Sequence, residues 1–450
     1  MPRHRKKRVS QQSVDCEIIA LSHEGRGISK RSGKTQFIEG ALPGERVRAR
    51  FLTQKSRFDE LVTVEVLQPS ADRVAEPCQH AQTCGGCSLQ HMDSQAQIRF
   101  KQTVLEEQFH HFGGLSPQEW SEPVTGNALG YRSKARLGVR YLRKQDRLII
   151  GFREKNSRNL TDIQRCEVLH PKVGRSLDAL RSLVASLSDL DAVSHVEIAM
   201  GDDDAAIVLR HLKPFSEDDH KKLIAYAKRS ELAIYLQPDG VDSVQKLWPE
   251  ATAARLHYEL SVPNPTKGGD AVSIAFHPSD FTQVNADINR KMVSRALEWL
   301  DIQSTDRVLD LFCGLGNFTI PLATQAAKVV GVEGDDSMVL RGKENAELNF
   351  CKNVSFFSAN LQADFTREAW AKEGFDKILI DPPRSGALDV VNYLAKFKAK
   401  RVVYISCNPA TLARDAGVLV DKGYRMMKAC VMDMFPHTTH VESMALFEKR

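Results

Sequence analysis

An acid and a thiol occupy matched positions in the C-terminal third of the chain. Asp381 follows Lys377 and the apolar run Ile378-Leu379-Ile380 and precedes Pro382-Pro383. Cys407 follows Val402-Val403-Tyr404-Ile405-Ser406 and precedes Asn408-Pro409. Both runs are short, apolar and rich in β-branched residues, the pattern of a buried parallel strand. The two side chains are therefore expected at the carboxyl ends of consecutive strands, where open α/β sheets bind their ligands. Asn408-Pro409 reads as an N-cap and a first helical residue. A helix starting there predicts a depressed thiol pKa and a reactive thiolate at Cys407. Cys313, Cys351 and Cys430 read instead as ordinary packed cysteines.

A second group reads as a cofactor site. Asp310-Leu311-Phe312-Cys313-Gly314-Leu315-Gly316-Asn317 closes an earlier strand with a turn whose two glycines admit a ligand closely. Glu333 ends the next strand, where an acid accepts hydrogen bonds from ribose hydroxyls. A nicotinamide dinucleotide would ask for a full Gly-x-Gly-x-x-Gly at a helix N-terminus. Here Gly316 is followed by Asn317-Phe318-Thr319. S-adenosylmethionine, a donor without phosphates, fits better. Asn360, beyond the third strand, is placed to meet its adenine.

A thiolate beside a methyl donor has a specific use. Carbon 5 of a pyrimidine is too electron-poor to take a methyl group unaided. Thiolate addition at carbon 6 makes carbon 5 an enolate-like carbanion that can. A base must then remove the carbon-5 proton so that the thiol leaves. Glu442, in the run His437-Thr438-Thr439-His440-Val441-Glu442-Ser443, is the candidate base. Asp381 would hydrogen-bond the pyrimidine edge. Asp381-Pro382-Pro383-Arg384 also differs from the Asp-Pro-Pro-Tyr type of amino-directed methyltransferases, which favours carbon as the acceptor.

These residues need a scaffold, and the chain supplies several domains' worth. From about residue 271, strands and helices alternate to the end, a Rossmann-like doubly wound sheet closed by an antiparallel pair. Residues 1–9 read as a basic tail. Residues 10–70 are short alternating runs between Gly25, Gly27, Gly33, Gly40 and Gly44, the pattern of a small OB-like β-barrel. Such barrels bind nucleic acid on a cationic face, to which Lys30, Arg31, Lys34, Arg46, Arg48, Arg50, Lys55 and Arg57 would contribute. Residues 71–270 form a central α+β region, with an amphipathic helix over 94–112 ended by Gly113-Gly114 and basic hairpins over 130–165. The hairpins predict one apolar and one cationic face, suited to phosphates. Cys78, Cys84, Cys87 and the distant Cys166 make a four-thiolate set that suits zinc or an iron–sulfur cluster equally by spacing.

Composition narrows the class. With 42% hydrophobic and 26% charged residues among 450, several soluble domains are expected. No run approaches the roughly 18 apolar residues of a membrane span. The basic start has no apolar segment behind it, so no secretory signal is expected. Cysteine usage predicts a reducing, cytoplasmic setting. The net charge of +5 is uneven: residues 131–165 hold eleven Lys and Arg against three acids, and residues 1–70 are also basic. Two basic blocks on an acidic remainder suit a polyanion.

Taken together, Phe281-Thr282-Gln283-Val284-Asn285, the Asp310–Thr319 run, Asp381–Gly386, Tyr404–Asp415 and His437–Glu442 resemble the RNA (uracil-5-)-methyltransferase family over nearly the whole chain. Residues 10–70 resemble a TRAM RNA-binding domain. With the four cysteines, this narrows the likeness to the bacterial branch acting on 23S rRNA. The resemblance implies S-adenosylmethionine contacts at Gln283, Phe312, Asn317, Glu333, Asn360 and Asp381, a nucleophile at Cys407 and a base at Glu442. It also implies a [4Fe-4S] cluster on Cys78, Cys84, Cys87 and Cys166, and a monomeric enzyme with 23S rRNA, not DNA or membrane, as partner. The alternatives are a sister activity on tRNA or another rRNA uridine, and a non-catalytic iron–sulfur RNA-binding protein.

Overall fold

The computed structural model describes residues 12–265 and 268–450. The basic tail expected over residues 1–9 lies outside the described residues. Two compact units emerge. One extends to Lys101 and takes in Pro436–Thr439; the other comprises Gln102–Phe435 and His440–Arg450.

The first unit is built on a six-stranded sheet formed by Ser13–Glu17, Ala20–Leu21, Gly27–Arg31, Lys34–Glu39, Arg46–Gln54 and Phe58–Gln68. Its pairings are antiparallel except that of Lys34–Glu39 with Phe58–Gln68. Strict alternation along Arg46–Gln54 turns Val47, Ala49 and Phe51 inward and Arg46, Arg48 and Arg50 outward. The inward set packs with Cys16, Ile18, Ile38 and Leu61. Part of the outward charge is neutralised within the sheet. Arg46 and Arg48 pair with Asp15, Lys34 with Asp59, and Lys55 with Glu60.

In the second unit, a six-stranded sheet runs in the order Gln245–Trp248, Ala233–Gln237, Ala205–His211, Val193–Met200, Lys134–Leu142, Arg147–Gly151. One face buries Leu137, Val139, Ile150, Val196, Ile198 and Leu209 with residues of the helices Leu177–Ala185 and Glu217–Ser230. Ser216 and Asp219 form a reciprocal capping box at the start of the latter. The strands Leu256–Leu260 and Val272–Phe276 pair with each other, so this hairpin straddles residue 270. Its buried residues share one core with Ala206, Val208 and the sheet that follows.

That last sheet carries the two residues first singled out. Its helices and strands are α1 (Ala286–Leu300), β1 (Arg307–Leu311), α2 (Thr319–Ala323), β2 (Lys328–Glu333), α3 (Asp336–Leu348), β3 (Val354–Ser358), β4 (Lys377–Ile380), α4 (Leu388–Leu394), β5 (Arg401–Ser406), α5 (Pro409–Asp421), β6 (Tyr424–Met432) and β7 (Glu442–Lys449). The strand order is β3-β2-β1-β4-β5-β7-β6, with Glu119–Trp120 added beside β6. Neighbours through β5 are parallel, and β7 is antiparallel to both β5 and β6. The order reverses between β1 and β4, so a ligand crevice opens beyond their carboxyl ends. β4 and β5 are buried on both faces, which is why they read as unbroken apolar runs. Truncating fully buried Leu379 to alanine would cost about 2–5 kcal/mol.

Candidate active site

Cys407 is the first residue beyond β5 and is half-buried. The register of β5 against β7 pairs Ser406 with Ser443, which sets Glu442 across from Cys407 at the end of the sheet. Asn408 caps α5, its side chain accepting from the Ala410 N–H at 3.2 Å, and Pro409 is the first helical residue. The helix N-terminus is thus where the sequence predicted it, but it does not set the protonation of the thiol. Burial, then the carboxylates of Glu442 and Asp381, push Cys407 up to about 11, against smaller lowering by a backbone hydrogen bond and Arg384. The expected depressed pKa is therefore corrected. Without a ligand, Cys407 is a protonated thiol at neutral pH, and a cation arriving among these acids would favour its ionisation.

Acids also gather at the neighbouring strand ends. Burial pushes Asp381 up to about 7. Asp310, fully buried in β1, is raised to about 8, first by burial, with a lowering hydrogen bond from Thr319 and further raising by Asp381 and Glu333. The Thr319 hydroxyl donates to Asp310 Oδ2 at 2.6 Å. Asp310 Oδ1 is buried with no hydrogen-bond partner among the described residues, an arrangement that costs about 1–3 kcal/mol unless a donor reaches it. Glu333 accepts from the Gly314 N–H at 3.0 Å and the Gly334 N–H at 2.6 Å. Between these acids the chain turns through positive φ at Phe312 (63°), Gly314 (53°) and Gly316 (95°). A β-carbon at Gly314 would meet nothing within 4 Å. Three acidic side chains around an open glycine turn do not suit a pyrophosphate, since the Gly314 N–H already donates to Glu333 and Asp310 offers a buried acceptor rather than a donor. They suit a ligand carrying positive charge and hydroxyl donors, and the sulfonium, ammonium and ribose of S-adenosylmethionine fit them.

The remaining predicted contacts fall in different surroundings. Asn317 exchanges hydrogen bonds with Asn289 at 2.9 and 3.0 Å and accepts from the Tyr258 hydroxyl at 2.8 Å, so its amide is held rigidly from α1 and the 256–276 hairpin. Gln283 lines a cavity of about 260 Å³ together with Tyr258, Asn285 and Asn289. Asn360 is exposed beyond β3, where its side chain accepts from the Gln362 N–H at 3.0 Å and closes a turn.

Sequence reasoning missed the residues that fix the Asp381 loop to the Cys407 helix. Asp415 on α5 is fully buried. Its Oδ2 accepts from the Ala387 N–H at 2.7 Å and the Tyr404 hydroxyl at 2.6 Å, and its Oδ1 from Arg414 Nε at 2.8 Å. Arg414 donates to the Ser385 carbonyl, and Asn408 Nδ2 to the Arg384 carbonyl, both at 3.0 Å. Gly386 lies at φ 79°, with a would-be β-carbon 2.6 Å from Arg414 and 2.7 Å from Asp415, so only glycine fits there. The signal was readable: Asp415 shares the buried face of α5 with Leu412, Ala416 and Leu419, an acid where periodicity asks for an aliphatic residue.

Among the described residues, no group of three or more His, Cys, Asp or Glu is arranged to hold a metal ion. Cys78, Cys84 and Cys87 belong to the first unit and Cys166 to the second. Locally, Cys84 Sγ accepts from the Gly86 N–H at 3.4 Å, as a thiolate ligand would. No helix is long and apolar enough to cross a membrane among the described residues.

Residues 93–450 match the tRNA (Uracil-5-)-methyltransferase family. A Hahella chejuensis protein named 23S rRNA (uracil(1939)-C(5))-methyltransferase RlmD is 51% identical, with 99% of each chain covered. One of the same name from Alcanivorax borkumensis is 51% identical over 99% of this chain and 98% of its own. Among solved structures, Pyrococcus abyssi tRNA (uracil-54, C5)-methyltransferase in complex with S-adenosyl-L-homocysteine covers 96% of this chain and 100% of its own, with a TM-score of 0.74. At 23% identity that likeness is one of fold.

Proposed function

The chain belongs to the tRNA (uracil-5-)-methyltransferase family, and we propose that it methylates carbon 5 of one uridine of 23S rRNA, the residue numbered 1939 in its relatives' names. The observation that carries this reading is the placement of Cys407 opposite Glu442 across β5 and β7, beside Asp381. Full-length identity near 50% to enzymes named for that uridine supports the choice of rRNA over tRNA.

Bound S-adenosylmethionine supplies an electrophilic methyl group on a sulfonium. Gln283, Phe312, Asn317, Glu333, Asn360 and Asp381 form its site, with Asp310 adding a buried acceptor. Cys407 loses its proton and its sulfur bonds to carbon 6 of the uracil, breaking the carbon 5–carbon 6 double bond and leaving carbon 5 nucleophilic. Asp381 orients the pyrimidine edge. After carbon 5 is methylated, Glu442 takes its proton, the double bond re-forms and the sulfur–carbon bond breaks. A single carboxylate across from the thiol suits that proton transfer.

Residues 10–70 act as a TRAM-type RNA-binding domain, residues 71–270 as a central domain and residues 271–450 as the methyltransferase domain of a cytoplasmic, monomeric enzyme. Cys78, Cys84, Cys87 and Cys166 hold a [4Fe-4S] cluster that is structural, since four thiolates leave no open iron position. The test is transfer of labelled methyl to 23S rRNA lacking the modification, followed by mapping of the methylated base. Incorporation at one uridine, abolished by Cys407→Ala, is expected. Transfer to tRNA alone would move the assignment to the sister activity, and no transfer to either would overturn it.

A further inference from the structure

The basic block over residues 131–165 is less exposed as charge than its composition suggests. Arg136 is engaged by Glu197, Arg143 by Asp191, Arg147 by Asp162 and Arg165 by Glu167. A different set of cations remains without an ion pair among the described residues, and two other strands help to build it. Val196, Ile198, Leu137, Val139 and Leu209 point into the core of the six-stranded sheet, so residues alternating with them point the other way. On that outer face His195 stands directly across from Arg210 on one side and from Gly138 on the other. Gly138 leaves room for Leu160, whose side chain would lie 2.8 Å from a β-carbon there. The 153–160 segment therefore folds onto this face, with Arg153 paired in register to Leu160. Arg140, two residues beyond Gly138, extends the row on the same strand and is exposed, as is Arg153.

Like charges set side by side across strands oppose folding unless something compensates. Glu197 faces the row, but Arg136 engages it at 2.7 Å. His195 reports the resulting field: burial first, then Arg136 and Arg210, hold it below its ordinary pKa, opposed by Glu197, with Arg153 adding a smaller lowering. Elsewhere on the same face Ala206 and Val208 pack into the methyltransferase core, so the cationic row emerges directly from the seam between this sheet and the catalytic fold.

We propose that the row formed by Arg140, Arg153 and Arg210 around His195 is a docking surface for the ribose-phosphate backbone of the substrate RNA. The occupant is chosen by charge: several unpaired guanidiniums in line match successive phosphates. The surface spans three strands separated in sequence, so it is not visible as a motif. The inference rests on the rRNA-methylating reading above.

The test is binding of a labelled 23S rRNA fragment spanning the target uridine, by fluorescence anisotropy over a range of salt, beside methyl transfer to the same fragment. For Arg140→Gln/Arg153→Gln/Arg210→Gln, the salt slope of log K should fall by about two units, at roughly 0.7–0.9 per lost phosphate contact. Affinity at low salt should drop at least tenfold, while kcat at saturating RNA stays within about twofold of wild type. Arg143→Gln, already paired with Asp191, should leave both slope and affinity unchanged. A folded triple variant with wild-type slope and affinity would overturn the surface. If the triple variant does not fold, the single Arg210→Gln should lower the slope by about one unit and Arg210→Lys restore it, and an unchanged slope in Arg210→Gln would equally overturn it. Failure of wild-type protein to methylate the fragment would instead overturn the assigned activity, since the binding arm is read separately.

Discussion

Removing the charge of Glu442 should make Cys407 more reactive while stopping turnover. With a pKa of about 11, the thiol is only ~0.1% ionised at pH 8, so its alkylation should rise about tenfold per pH unit across the neutral range. Burial is the largest cause of that elevation and the Glu442 carboxylate the next. Glu442→Gln keeps the shape and removes the charge. Each unit by which the pKa then falls is worth about 1.4 kcal/mol and gives roughly ten times more thiolate at pH 8. The assay is the rate of iodoacetamide labelling of Cys407, read by peptide mass spectrometry from pH 7 to pH 10. The same variant should lose roughly 10²–10⁴-fold in methyl turnover and retain methylated RNA covalently on the enzyme, because the carbon-5 proton stays in place. Labelling that is unchanged or slower in Glu442→Gln would refute the reasoning, as would a wild-type labelling rate already flat by pH 9.

Asp415→Ala should destabilise the protein by roughly 2–6 kcal/mol in urea unfolding, because the Ala387 N–H and Tyr404 hydroxyl each lose a buried acceptor at about 1–3 kcal/mol; a change below about 0.5 kcal/mol would contradict the latch. Asp310 should make ligand-free stability fall with pH. Its folded pKa of about 8 exceeds its ordinary 3.8, so between those values the folded state keeps a proton that the unfolded chain has released. Asp310→Asn should therefore show a shallower drop in Tm from pH 5 to pH 8 than wild type, and an identical slope would count against the buried acid. For the cluster proposal, Cys84→Ser purified anaerobically should lose iron and RNA affinity together; full iron content and binding would sink a structural [4Fe-4S] site.

Much of the catalytic fold was legible because its strands are buried on both faces. Runs such as Lys377–Ile380 and Arg401–Ser406 have no polar alternation to confuse, and Pro382 and Asn408 mark their ends. The positions of Asp381, Cys407 and Glu333 followed from those ends. The state of the thiol did not, because it depends on Glu442 arriving from a strand 35 residues later through the β5–β7 register. The Asp415 latch and the Asn289–Asn317–Tyr258 hydrogen bonds are likewise long-range, joining elements that local pattern treats separately. Charge was the least legible quantity. The basic block at 131–165 counts cations without their partners, and half of the outer row comes from His195 and Arg210, outside that block.

The central claim is that Cys407 bonds to carbon 6 of a uridine and that a base must then remove the carbon-5 proton. An RNA fragment carrying 5-fluorouridine at the target position tests it most directly, since fluorine cannot leave as a proton. With S-adenosylmethionine, the account predicts a stable one-to-one protein–RNA adduct that carries the transferred methyl group, maps to Cys407 by mass spectrometry and is absent from Cys407→Ala. Methyl transfer to unmodified RNA with no adduct on the fluorinated fragment, or an adduct on another residue, would contradict it.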